Sequence, residues 1–139
     1  YVFLPEPSVP DRKLEITVEY AGTKVVHSAG HGNYSVRART SWYPSLNSFL
    51  DRATYEIAFK HPKRFTLVST GAPVRVSEDG DWKISEWKSD VPLAVAGFNY
   101  GEFKMRQAKD ETLRYELEGY ATSDLPDYMR TPTSLPSLN

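Results

Sequence analysis

Three histidines are the natural starting point for chemistry in this chain. Two of them, His27 and His31, stand four residues apart in the stretch VVHSAGHGNYS. On a helix that spacing puts both imidazoles on one face, where they can ligate one zinc ion and support metal-assisted hydrolysis. The neighbouring residues deny the helix. Gly30 and Gly32 flank His31, β-branched Val25 and Val26 precede His27, and each interior glycine costs a helix about 1 kcal/mol. His27 is followed by Ser28 rather than Glu, so an H-E-x-x-H site would lack its general base. The stretch reads as a polar, Gly-rich loop with two solvated histidines. His61 precedes Pro62 at a strand-to-turn corner and is expected at the surface.

Other chemistries fail in the same way. The chain has no cysteine, which removes disulfides, zinc fingers and thiol nucleophiles. Glu78, Asp79 and Asp81 cluster in EDGD, but an Asp-Gly hairpin turn accounts for them better than a calcium site does. No serine stands in a G-x-S-x-G elbow, and STGAP lacks the lysine of a phosphate loop. Trp42, Trp82 and Trp87 could form a stacking platform for sugar or peptide; packing is the commoner role of such residues. No catalytic set assembles, and no cofactor or metal ligand set is expected within the chain. The net charge of −1, from 17 basic and 18 acidic residues, gives no electrostatic footprint for nucleic acid or anionic lipid. No apolar run approaches the roughly 20 residues of a membrane helix.

The elements that must carry these residues are strands. The 139 residues suffice for one domain with a core, and aromatic residues reach 13% beside ten prolines and eight glycines, the texture of many short strands joined by turns. Residues 1–12 read as an extended arm and 122–139 as a Pro-rich tail or linker, with a β-sandwich domain over 13–121. Leu14, Ile16 and Val18 alternate with Lys13, Glu15, Thr17 and Glu19, predicting a half-buried strand. Further strands are expected at 23–28, 34–40, 52–62, within 65–77 around a Gly-Ala-Pro break, at 82–88 and at 111–121. The apolar run from Val91 to Phe98 predicts a strand buried on both faces, with Gly97 and Gly101 marking a bulge or close approach. A short helix could begin in SDLPDYM, capped by Ser123 or Asp124. The expected fold class is all-β: an antiparallel sandwich or a curved, saddle-like open sheet of about nine strands, with little or no helix.

One long pattern is familiar. Trp42-Tyr43-Pro44 forms a W-[FY]-P corner, Ala53 to Phe59 a strand of the ATF-x-[IL]-x-[FV] kind, Pro62 to Gly71 a P-x-x-[FWY]-T-x-[LV]-S-x-G element, and Val91-Pro92 leads through an apolar segment to Gly101-Glu102-Phe103. In order and spacing this resembles the later part of the amino-terminal β-domain of the aminopeptidase-N-like zinc metallopeptidases, over roughly residues 13 to 120. The resemblance implies a non-catalytic β-domain beside a catalytic domain of the same parent chain, which would hold the zinc and the H-E-x-x-H motif; none of that motif is here. It also implies a peptide substrate whose cleft this domain would rim at GHGNYS, through Tyr34, Ser35 and His31. Where the family carries a Gln that holds the substrate's amino group, this chain has Tyr34 or Ser35. The chain looks like a piece of something longer, and a homodimer through edge strands is a further expectation. Lack of cysteine suits either redox compartment, and an extracytoplasmic or secreted setting is favoured. The rival expectation is a free-standing adhesion or carbohydrate-binding β-module, favoured if two or more tryptophans lie exposed on one flat face.

Overall fold

The computed structural model describes residues 7, 9–36, 42–45, 50–110, 112 and 114–122. Among them are nine strands and no helix: β1 Val26–Gly30, β2 Asn33–Val36, β3 Glu56–Pro62, β4 Thr66–Ser69, β5 Ala72–Asp79, β6 Trp82–Lys88, β7 Phe98–Gly101, β8 Phe103–Asp110 and β9 Tyr115–Thr122. They form a four-stranded sheet of order β1-β2-β7-β4, a three-stranded sheet β3-β6-β5 and a two-stranded ribbon β8-β9. All pairings are antiparallel. The all-β class read from the alternation and turn chemistry is therefore the class observed.

Alternation also explains how the sheets face each other. In β7, Phe98 and Tyr100 turn inward while Asn99 is exposed. Tyr34 of β2 and Leu67 of β4 stand opposite Tyr100 and share its face. In β3, Ile57, Phe59 and His61 are covered while Glu56, Ala58 and Lys60 are exposed. Ser85 and Trp87 of β6 lie opposite Phe59 and Ile57. The rings of Phe59 and Phe98 meet with centroids 4.9 Å apart, which joins the two inner faces as in a sandwich. Edge strand β5 carries Pro73 and a register shift between Pro73 and Arg75, as expected of a strand with one unpaired side.

Three sequence expectations need correction. No strand forms at 13–19: the segment is exposed throughout and pairs with nothing among the described residues. Alternation supplies a face, but a strand needs a ladder partner to satisfy its backbone. The apolar stretch from Val91 to Gly97 is not a doubly buried strand. It is a connector whose one β-bridge, Ala53 to Leu93, lies outside the named strands, with regular pairing starting only at Phe98. His61 is not a surface residue: it is 6% exposed, because the period-2 face of 55, 57 and 59 simply continues to 61. The suggested helix start at 123–128 and the strand residues 37–40 lie outside the described residues.

Candidate functional site

The family-like motifs converge on two residues of the connector. The Trp42 indole N–H donates to the Ala96 carbonyl at 2.9 Å, and the Ala96 N–H donates to the Tyr43 hydroxyl at 3.1 Å. From the other side, the Gly97 N–H donates to Thr70 Oγ1 at 2.9 Å, and the Thr70 N–H donates to the Gly97 carbonyl at 3.0 Å. Ser69 Oγ reaches the same carbonyl at 3.3 Å. Ala96 is almost wholly buried, so its irregular backbone needs these partners. The W-Y-P corner and the S-T-G element are thus two jaws on one buried loop. Tyr43 also meets the Tyr55 hydroxyl at 3.3 Å; burial, then that contact, pushes Tyr55 up to about 12, so the Tyr55 phenol remains a neutral hydrogen-bonding group. Their spacing was legible in sequence, whereas the shared target was not, since it is set by chain crossings more than 20 residues long.

The histidine pair that opened the sequence lies on a hairpin. His27 is in β1 opposite Ser35, and His31 occupies the tip at φ 51°, followed by Gly32 at φ 71°. Two successive positive φ values make the tight turn whose twist matches a hairpin, and a strand-plus-turn gives no helical face for two ligands to share. The tip packs closely: a Cβ on Gly101 would sit 2.7 Å from the Gly32 carbonyl, the close approach expected at that glycine. Tyr34 points to the inner face, stacked on Tyr100 with centroids 4.9 Å apart and edge-on to Phe65 at 5.8 Å. The Arg64 guanidinium lies over Phe65 at 4.5 Å. Burial, then the Tyr34 phenol, raises Tyr100. Ser35, by alternation, is on the opposite face. His31, Tyr34 and Ser35 therefore share one hairpin but present different surfaces.

A second set of polar groups lies between the sheets and was missed from sequence. His61 Nδ1 is 3.1 Å from the Pro62 carbonyl, while His61 Nε2, Ser85 Oγ and Trp87 Nε1 are buried without a partner. Burial holds His61 below its usual range, with the Lys83 charge adding to the effect against the Pro62 hydrogen bond. These are neutral polar atoms in a packed layer, and no acid, base and nucleophile stand together there.

The outer face of the three-stranded sheet is closed by its own charges. Lys60 pairs with Asp79 at 3.7 Å and Arg75 with Glu86 at 4.0 Å, and Lys88 pairs with Glu56. Lys60 also lies over Trp82, 5.7 Å from its centroid. Trp82 is 44% exposed and Trp87 is buried, while Trp42 is half-buried and bound into the clamp. One exposed tryptophan does not make a flat stacking platform. An open hollow at the edge of this sheet is lined by Glu56, Val74, Glu86, Trp87 and Lys88, among others. Among the described residues no group of three or more His, Asp or Glu side chains is placed to hold a metal ion, and no helix is long and apolar enough to cross a membrane.

Comparison with known proteins adds one finding. No family model matches the chain, and no curated protein matches it. Its fold is similar to that in the crystal structure of an M1 zinc metallopeptidase from Deinococcus radiodurans, with a TM-score of 0.60 and 18% identity. The match covers 74% of this chain and 27% of that one, so at this identity what is shown is a shared β architecture that forms one part of a larger peptidase.

Proposed function

We propose that this chain is a non-catalytic β-domain of a zinc-dependent, aminopeptidase-like hydrolase. It packs beside the catalytic domain of its parent chain and contributes one wall of the peptide cleft. Two likenesses carry the proposal together: the M1 fold match covers 74% of this chain, and the sequence motifs over roughly residues 13 to 120 resemble the same family. Those motifs close the clamp on Ala96 and Gly97. They are motifs of architecture, as suits a domain that supports chemistry done elsewhere. In this assignment residues 1–12 are an arm, 13–121 the domain and 122–139 the connector. The β1–β2 hairpin, with His31, Tyr34 and Ser35, is the edge turned to the cleft, and the zinc belongs to the parent's catalytic domain.

The test is the reading frame downstream of Asn139, together with zinc titration of the chain itself. An H-E-x-x-H motif within the next couple of hundred codons, and no stoichiometric zinc binding or aminoacyl-anilide hydrolysis by the isolated chain, is the expected result. A frame that closes without that motif overturns the assignment. So does tight zinc binding by calorimetry that is lost in His27→Ala and His31→Ala.

A further inference from the structure

Between the turn closed by the Arg12 N–H on the Val9 carbonyl at 3.2 Å and the bends at 23–25, the chain has no turn or bend from 12 to 22. Its large apolar side chains fall on alternate positions and are exposed: Leu14 50%, Ile16 57%, Val18 50% and Tyr20 59%. No backbone group of 13–20 has a backbone partner among the described residues. Among the described residues its end is tied down by the Tyr20 hydroxyl donating to the Trp42 carbonyl. An alternating segment whose backbone has no partner among the described residues is a template for strand pairing. Its sequence then says with what.

We infer that residues 12–20 pair antiparallel with the same segment of a second copy of this chain, about a two-fold axis through Ile16. In that register Lys13 faces Glu19 twice, Leu14 faces Val18 twice, Ile16 faces itself and Arg12 faces Tyr20, all read from the sequence. The polar face is charge-complementary and the apolar face is continuous. Slipping by one step of the pleat in either direction spoils it. With the axis at Glu15 that residue faces itself, and with the axis at Thr17 Glu15 faces Glu19 twice; like charges directly opposite destabilise a ladder. Slips of one residue put polar side chains on the apolar face. Further slips that avoid the charge clash shorten the pairing. The segment is thus self-complementary in one long register. The peptidase-domain assignment is not needed for this, and neither the reading frame nor zinc binding bears on it.

The chain has no cysteine, so single cysteines report the register directly. Under mild oxidation, Ile16→Cys is expected to form a disulfide-linked dimer, since facing residues lie within the reach of a disulfide. Leu14→Cys alone and Val18→Cys alone are not, because their symmetry mates are four residues out of step, about 13 Å along the strand. A mixture of those two variants is expected to give the mixed dimer. By sedimentation equilibrium, Lys13→Glu is expected to weaken self-association about tenfold, and Lys13→Glu with Glu19→Lys to restore it. All the substituted positions are exposed, and circular dichroism checks that each variant keeps its strands. A chain that stays monomeric across about a hundredfold range of concentration overturns the inference, whatever else covers the segment. So do equal cross-linking at 14, 16 and 18, which marks parallel pairing, and a double charge reversal that fails to rescue.

Discussion

Gly71 is the sharpest test of how the two sheets are joined. It stands between β4 and β5 at φ 89°. A Cβ there would lie 2.4 Å from the Lys88 carbonyl oxygen, 2.5 Å from its carbon and 2.8 Å from the Ser89 nitrogen. All three atoms are backbone, and they cannot retreat: the Ser89 N–H donates to the Tyr55 carbonyl at 2.9 Å, and the Tyr55 N–H donates to Ser89 Oγ at 2.8 Å. Gly71→Ala therefore combines a left-handed backbone penalty of about 1–2 kcal/mol with an overpacking penalty of about 1–3 kcal/mol. The stiffer unfolded chain offsets about 0.4–1 kcal/mol. The net loss is about 2–4 kcal/mol. With a urea slope near 1.5 kcal/mol per molar, this lowers the midpoint by about 1.3–2.7 M. Gly80→Ala is the comparison, because φ is 58° there but nothing lies within 4 Å; it carries the backbone term alone, about 0.5–1 kcal/mol after the same offset. Equilibrium urea unfolding of both variants, followed by tryptophan fluorescence, separates the two terms. If Gly71→Ala loses no more than Gly80→Ala, the close approach of the β3–β6 edge to Gly71 is refuted.

Further expectations concern the clamp, the core and the buried histidine. Tyr43→Phe removes the acceptor of the buried Ala96 N–H and should cost about 1–3 kcal/mol, read from the same urea curves; a neutral result would mean that water replaces the hydroxyl. Phe98→Ala strips the ring that meets Phe59, Trp42 and Tyr100, and should cost about 2–3 kcal/mol, below the range for a fully buried ring. His61 is held below its usual range by burial, so the unfolded chain takes up its proton first. Its contribution is present above the unfolded pKa of about 6.5 and is lost as pH falls through that value towards the lower folded one. Stability measured between pH 7.5 and 5 should therefore fall less steeply in His61→Phe than in the parent. An unchanged slope would mean that the folded state takes up the His61 proton as readily as the unfolded one.

What the sequence determined by itself is the local layer. Alternation in 55–59, the Trp- and Ile-bearing run 82–88 after an Asp-Gly turn and the glycines at 71, 80 and 101 were enough for an all-β class and for most strand positions. Each of those signals acts over a few residues, through pleat and φ alone. The histidine pair was also decided locally, because Gly30 and Gly32 rule out a helix wherever the segment lies.

Tertiary structure decided whatever depends on partners. The segment 13–19 has as clean an alternation as β3 yet remains unpaired, since no other segment among the described residues lies beside it. The run 91–97 is apolar enough for a central strand but becomes a connector gripped by Trp42, Tyr43 and Thr70, which approach from chain positions 27 to 54 residues away. Ile84 lies on the outer face with Trp82, opposite Lys60, because the side of a strand that meets the other sheet is chosen by packing, not by hydrophobicity alone. A strand's period is written in its own residues; its neighbours, and which of its faces goes dark, are set by long-range pairing that no short window of sequence contains.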